Sequence, residues 1–258
     1  MNAIAQPTRR YERHPFALGQ GPAHRAAIGL VVLATDHTIE HEWHRMLQLD
    51  GVALYETRLF NSPDIRPETL AAMEKDIAPA VALLLPGQRL DVVAFGCTSG
   101  AMVIGEQQVF EQIRAVRPGV PCTSPITAAQ AAFKALGAQR IGLLTPYVRS
   151  VSDWMAGYIA ERGHAVTASA SYEHGDDNEV ARIDAASIRA SVLALGRQSD
   201  VDAVFVSCTS MRIADQVAAL EHEIGKPVLS SNHAMAWHAL RLAGIADPLP
   251  RWGRLFSV

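Results

Sequence analysis

The chain has 258 residues, of which 49% are apolar and 19% charged, with a net charge of −3. This is an ordinary globular composition with enough length for a large core, and its scattered Lys and Arg, without a zinc-finger or RNA-binding motif, argue against a nucleic-acid partner. No apolar run approaches the roughly 18 residues of a membrane span, the polar start lacks the apolar centre of a secretory signal, and three cysteines without a CxxC pair predict free thiols in a reducing, cytoplasmic setting.

Residues 1–25, carrying Arg9, Arg10, Arg13, Pro7, Pro15 and Pro22, read as a flexible N-terminal arm. From Ala26 onward, strands and helices alternate. Residues 27–34 (AIGLVVLA) form a continuous apolar run, as expected of a strand covered on both faces. Helix follows at 38–49, strand at 52–58, and helix at 67–85, with Pro67 at its start and Pro79 as a break or kink. A third strand at 92–95 leads to Cys97, followed by helix from about 101 to 116. Pro121 and Cys122 open a short strand, and a helix at 127–136 stops at Gly137.

The order then restarts. Residues 140–145 (RIGLLT) echo the first strand. Helix at 153–162, strand at 164–170, helix at 184–195 and strand at 201–206 lead to Cys208. Helix at 213–224, strand at 227–229 and helix at 235–242 complete the series. The expected fold is α/β: two similar parallel-sheet halves related by pseudo-twofold symmetry, at 26–137 and 138–244, with a C-terminal tail at 245–258. In such sheets ligands bind beyond the carboxyl ends of the strands. Asp36, Cys97, Tyr147 and Cys208 all follow expected strands, so all four are candidates for one cleft between the halves.

Two segments read almost alike. DVVAFGCTSG begins at Asp91 and DAVFVSCTSM at Asp202; each is an acidic start, an apolar run, then Cys-Thr-Ser. A cysteine between a strand and a helix start lies at the positive end of the helix dipole, which favours its thiolate. A thiolate and a thiol on opposite faces of a substrate carbon make a base and an acid. The pair suits racemisation by proton removal and return. It equally suits cis–trans isomerisation by thiolate addition to an activated alkene. Both routes build negative charge on an adjacent carboxylate, which Thr98, Ser99, Thr209 and Ser210 would hold through hydroxyls and helix-start N–H groups. One such donor is worth about 2.7–4 kcal/mol. Cys122 also heads a Cys-Thr-Ser, but its counterpart in the other half is Val228, and it reads as structural.

FGCTSG at 95–100, LLTPY at 143–147, NEVARID at 178–184 and SCTSMR at 207–212 resemble the aspartate/glutamate racemase superfamily. The branch they look most like is the maleate cis–trans isomerases, with arylmalonate decarboxylases and the ectoine-utilisation EutA proteins nearby. The resemblance spans roughly residues 26–244. It implies a cleft between two α/β halves, no metal, no organic cofactor, and a homodimer or larger. It also implies roles: Cys97 attacks, Cys208 is the acid, Tyr147 hydrogen-bonds a substrate carboxylate, and Asn178 binds the other end of the substrate.

One departure bears on the substrate. Maleate isomerases carry an asparagine in the loop after the first strand, where this chain has Asp36. An ionised aspartate opposes a dicarboxylate by about 4 kcal/mol at roughly 4 Å and an effective dielectric near 20. It suits a substrate ammonium or hydroxyl instead, so the expected substrate is a small carboxylate or an amino acid. The glycine-rich loop of glutamate racemases is absent. His37, His41 and His44 share a helix face but complete no metal motif, and read as a solvated face with His37 as an optional substrate contact. His233 reads as structural or as a cleft residue. Phosphate-binding glycine loops are missing. The alternatives are a malonate-type decarboxylase, whose known members pair one catalytic cysteine with a glycine, and a two-lobed small-molecule binding protein without catalysis.

Overall fold

The computed structural model describes residues 11–258. Of the arm read at 1–25, residues 1–10 lie outside the described residues, and 11–20 run exposed without helix or strand. Two four-stranded parallel sheets follow, each with the same strand order. In the first, β2 (Val52–Leu59), β1 (Ala26–Leu33), β3 (Val92–Gly96) and β4 (Cys122–Thr123) lie side by side in that order. In the second, the order is β6 (Ala165–Ser171), β5 (Arg140–Thr145), β7 (Ala203–Val206) and β8 (Val228–Ser230). Ile28 pairs with Val92 in the first sheet, and Ile141 with Ala203 in the second. The halves are therefore structural copies.

Every residue of β1, β3 and β7 is buried, because helices cover both faces of each sheet. Helix α1 (Ile39–Met46) shows why the covering elements form: Ile39, Trp43 and Met46 are spaced to share one face, and all are buried.

Two expected helices are each divided. The segment read as 67–85 is α2 (Pro67–Ala71) and α3 (Glu74–Ala82). Pro79 lies inside α3 on its exposed side, so the Lys75 carbonyl left without a donor faces water. The segment read as 101–116 is α4 (Thr98–Ile104) and α5 (Glu106–Val116), separated by Gly105 at φ 96°, a conformation that glycine adopts freely. Capping moves other starts earlier. Ser124 caps α6 (Pro125–Leu136) and Ser230 caps the last long helix by accepting backbone N–H bonds. Helix α7 covers Arg149–Ala160, α8 Asp177–Val180, α9 Ala185–Gly196 and α10 Val217–Ile224.

The last long helix, α11 (Ser231–Leu242), lies against α6, α1 and β3, so it crosses onto the first half. The Trp43 indole donates to the Asn232 carbonyl at 3.1 Å, and the Asn232 amide donates to Glu42 at 2.8 Å. In the other direction, Phe133 of α6 meets Phe205 of β7 edge to face, with centroids 5.7 Å apart. The C-terminal tail docks on its own subunit: Trp252, Leu255 and Phe256 are buried, and His233 donates to the Trp252 carbonyl at 2.5 Å.

Candidate active site

The carboxyl ends of β3 and β7 meet where the halves face each other. Cys97 follows β3 and caps α4, its sulfur accepting the Gly100 N–H at 3.2 Å, with the Ser99 hydroxyl at 3.9 Å. Cys208 lies beyond β7 at φ 125°, strained for a residue with a side chain. No helix starts there: Thr209 and Ser210 lie in a turn, and the next helical turn begins at Ala214. The helix dipole thus acts on Cys97 alone, a correction to the symmetric expectation. Cys208 is fixed differently. Its N–H donates to the Ser231 hydroxyl at 3.0 Å, and Ser231 in turn bonds the Thr98 hydroxyl at 2.9 Å. A short chain of hydroxyls therefore ties the two cysteine loops together.

Both sulfurs line one small cavity, with about 20 Å³ of free space. The first half contributes Leu33, Asn61, Ser62, Ile65, Leu70, Cys97, Thr98 and Ser99; the second contributes Tyr147, Asp177, Cys208 and Thr209. Cys97 and Cys208 are only 4% and 5% exposed, so the cavity is nearly sealed from solvent. Two loops close it, joined by a bridge between Asp64 and Asp176 and by Asp177 N–H donating to the Pro63 carbonyl at 3.3 Å.

Asp177 is the hub of the polar network. One of its oxygens accepts from Thr35 at 2.6 Å and the other from Ser210 at 2.7 Å. Asn61 donates to Thr35 Oγ1 at 2.7 Å. The Ser210 hydroxyl, expected to face substrate, is thus committed to Asp177.

A family model described as arylmalonate decarboxylase matches residues 61–256. The chain belongs to the arylmalonate decarboxylase family. It is 30% identical over 239 residues to the maleate isomerase of Nocardia farcinica, covering 88% of this chain and 94% of that protein. It is 35% identical over 141 residues to the arylmalonate decarboxylase of Bordetella bronchiseptica, a match spanning 54% of this chain and 59% of that protein's length. Among solved structures, a cysteine-to-serine variant of N. farcinica maleate cis–trans isomerase with a covalently bound succinylcysteine intermediate superposes with a TM-score of 0.81. It shares 28% identity and covers 90% of this chain and 98% of that one. This arylmalonate decarboxylase family member is an enzyme, with near-full-length likeness to a maleate isomerase.

Electrostatics distinguish the two thiols of this family member. Burial pushes Cys97 up to about 12, against the Gly100 N–H that favours its thiolate. Burial pushes Cys208 further up, against help from Tyr147 and the Ser210 N–H. Asp177 and Asp36 raise both sulfurs by charge. Tyr147 is buried beside Cys208, and desolvation holds its phenol protonated. Among the described residues, no lysine, arginine or histidine lines the cavity.

Other candidates lie elsewhere. Asp36 is buried behind the cavity; its Oδ1 accepts the N–H groups of Thr38 and Ile39 at 2.7 and 2.8 Å, anchoring the start of α1. Desolvation raises its pKa, and its Oδ2 makes no hydrogen bond, although the Thr209 side chain is near enough to favour the ionised form. Asn178 does not line the cavity: its Oδ1 meets His37 Nε2 at 3.0 Å on the exposed rim, because the first turn of α8 directs Asp177 inward instead. His37, His41 and His44 are exposed, and His44 pairs with Glu56 at 3.0 Å. Among the described residues no group of three or more His, Cys, Asp or Glu is placed to hold a metal. His233 is fully buried outside the cavity, where desolvation lowers it to about 4 and keeps it neutral. Cys122 is buried apart from the cavity, its thiol donating to the Val120 carbonyl at 3.3 Å. Sequence reasoning missed Asn61, Asp177 and Ser231. The only sign of Asp177 was its place in the Asp-Asp-Asn run beside Asn178.

Proposed function

We propose that this enzyme is a cofactor-independent isomerase working alpha to a carboxylate of a small organic acid, with Cys97 and Cys208 on opposite faces of the reacting carbon. The observation that carries the reading is that two sulfurs, one from each half, line a single nearly sealed cavity. Cys97 is the base or nucleophile: its sulfur caps the start of α4 and accepts the Gly100 N–H there. Cys208, held protonated by burial, is the acid.

With an alkene such as maleate, the Cys97 thiolate forms a bond to one alkene carbon. The π pair moves to the other carbon and its carboxylate, and the Cys208 thiol delivers its proton there. After rotation about the new single bond, Cys208 takes the proton back and the carbon–sulfur bond breaks. The succinylcysteine intermediate of the N. farcinica relative supports this route. With a saturated acid, Cys97 instead removes the alpha proton and Cys208 returns one on the far face. Ser99, Thr209 and Tyr147 are the hydroxyl donors of the lining offered to the carboxylate as charge develops.

The test is incubation in deuterated water with maleate, 2-aminobutyrate and phenylmalonate, followed by NMR. Fumarate from maleate, or deuterium at the alpha carbon of the amino acid, is expected. Each rate should fall on the order of 10²–10⁴-fold in Cys97→Ser and in Cys208→Ser. Rates unchanged in both variants would end the reading, and carbon dioxide released from phenylmalonate alone would favour the decarboxylase. The three free, buried thiols support a reducing, cytoplasmic setting. The family resemblance supports a homodimer or larger, which light scattering would reveal.

A further inference from the structure

We infer that the cavity is built for an α-amino monocarboxylate with a short apolar side chain, with Asp177 as the partner of its ammonium group and the buried Asp36 carboxyl nearby. This rests on the two-thiol isomerase reading and narrows its substrate.

Charge is the first argument. Asp177 lines the cavity at 5% exposure, and its hydrogen-bond donors are the neutral hydroxyls of Thr35 and Ser210. Among the described residues it forms no ion pair, and none of the cavity side chains is cationic. Asp36 is 3% exposed with Oδ2 unpartnered, beside the cavity residue Thr209. Buried carboxylates without a counter-charge are costly. A ligand ammonium supplies that charge, whereas a dicarboxylate adds two further negative charges beside Asp177.

The second argument is the division of the walls. Leu33, Ile65 and Leu70 are apolar members of the lining, all from the first half, and fit an aliphatic side chain. Hydroxyls of Ser99, Thr209 and Tyr147 remain for the single carboxylate.

The third is activation. Asp177 and Asp36 both oppose ionisation of either thiol. An ammonium seated on Asp177 cancels part of that field, so a Cys97 thiolate forms with substrate in place. The thiolate then takes the α-proton, and the electron pair delocalises into the carboxylate. The Cys208 thiol gives its proton to the opposite face, leaving the inverted amino acid. Proton exchange with solvent restores the starting thiol and thiolate.

The experiment compares L-2-aminobutyrate, L-alanine and maleate on the wild-type enzyme and on Asp177→Asn. Alpha-deuterium incorporation, chirality and fumarate are followed, and binding is measured by calorimetry. The expected result is exchange with inversion of the amino acids at a kcat/KM above that for maleate. Asp177→Asn should lower the amino-acid value by 100-fold or more, and by at least tenfold more than it lowers any turnover of maleate. Preferred turnover of maleate by the wild-type enzyme, lost in Cys97→Ser, overturns the substrate assignment while keeping the two-thiol reading. If no compound turns over, calorimetry decides. Amino-acid binding that Asp177→Asn abolishes supports the assignment, and maleate binding alone or no binding overturns it. Turnover that survives in both Cys97→Ser and Cys208→Ser would instead defeat the isomerase reading itself.

Discussion

The meeting of Cys97 and Cys208 in one cavity was legible because the same Cys-Thr-Ser is written twice, each time after an apolar run. Their inequality was not, because it depends on which loop becomes helical. Gly100 closes the first turn of α4 onto the Cys97 sulfur, while the strained Cys208 turn starts no helix and its sulfur has the Ser210 N–H and Tyr147 beside it. Asp177 was illegible for a related reason: in an Asp-Asp-Asn run only a four-residue helix decides which side chain faces inward. Glu42 is another residue whose role only packing reveals. It is buried on α1, where one oxygen accepts the N–H groups of Ile213 and Ala214, each at 2.8 Å, and the other meets Asn232. Desolvation, the largest influence, raises it from 4.5 to about 7. A carboxyl raised on folding contributes stability that is complete below its unfolded value and is lost as pH climbs through its folded value. The stability difference between wild type and Glu42→Gln should therefore shift against the wild type between pH 4.5 and about 7. Urea midpoints of the two proteins at both ends of that window check it, and a constant difference would contradict it.

The alternation of strands and helices, and the likeness of the halves, followed from apolar runs separated by helical spacing. Element edges did not follow, since they depend on capping and glycine conformation. The division at Gly105 and the early starts at Ser124 and Ser230 are set by one residue each. Gly100 shows how tightly one element holds the chemistry. A methyl group there would lie 2.6 Å from Met73 Cε and 2.8 Å from Cys97 Sγ. Met73 is flexible and can move; the sulfur can move only by leaving its N–H donor. Gly100→Ala is therefore expected to lower kcat about 10²-fold, the scale of a 1 Å misplacement, with an unchanged circular dichroism spectrum. Activity within twofold of wild type would show that the sulfur position is not critical.

The halves are not independent blocks. Helix α11 crosses to the first half, Phe133 of α6 reaches the second sheet, and the C-terminal tail seals the seam with Trp252, Leu255 and Phe256. The sequence left open whether that tail served this subunit or a partner, because an apolar tail fits both. Contact between the Phe256 and His233 rings, with centroids 4.9 Å apart, answers it locally. Phe256 is fully buried, so Phe256→Ala should cost about 3–5 kcal/mol in urea unfolding; a loss below 1 kcal/mol would mean the tail is dispensable. The crossed helices set the two cysteine loops against one cavity, and on that placement the whole account depends. Its most direct measurement is treatment with 1,3-dibromoacetone followed by peptide mass spectrometry. The account predicts one bridge linking the Cys97 peptide to the Cys208 peptide within a single chain, with activity lost in proportion. Separate single adducts on the two cysteines, or a bridge to Cys122, would contradict it.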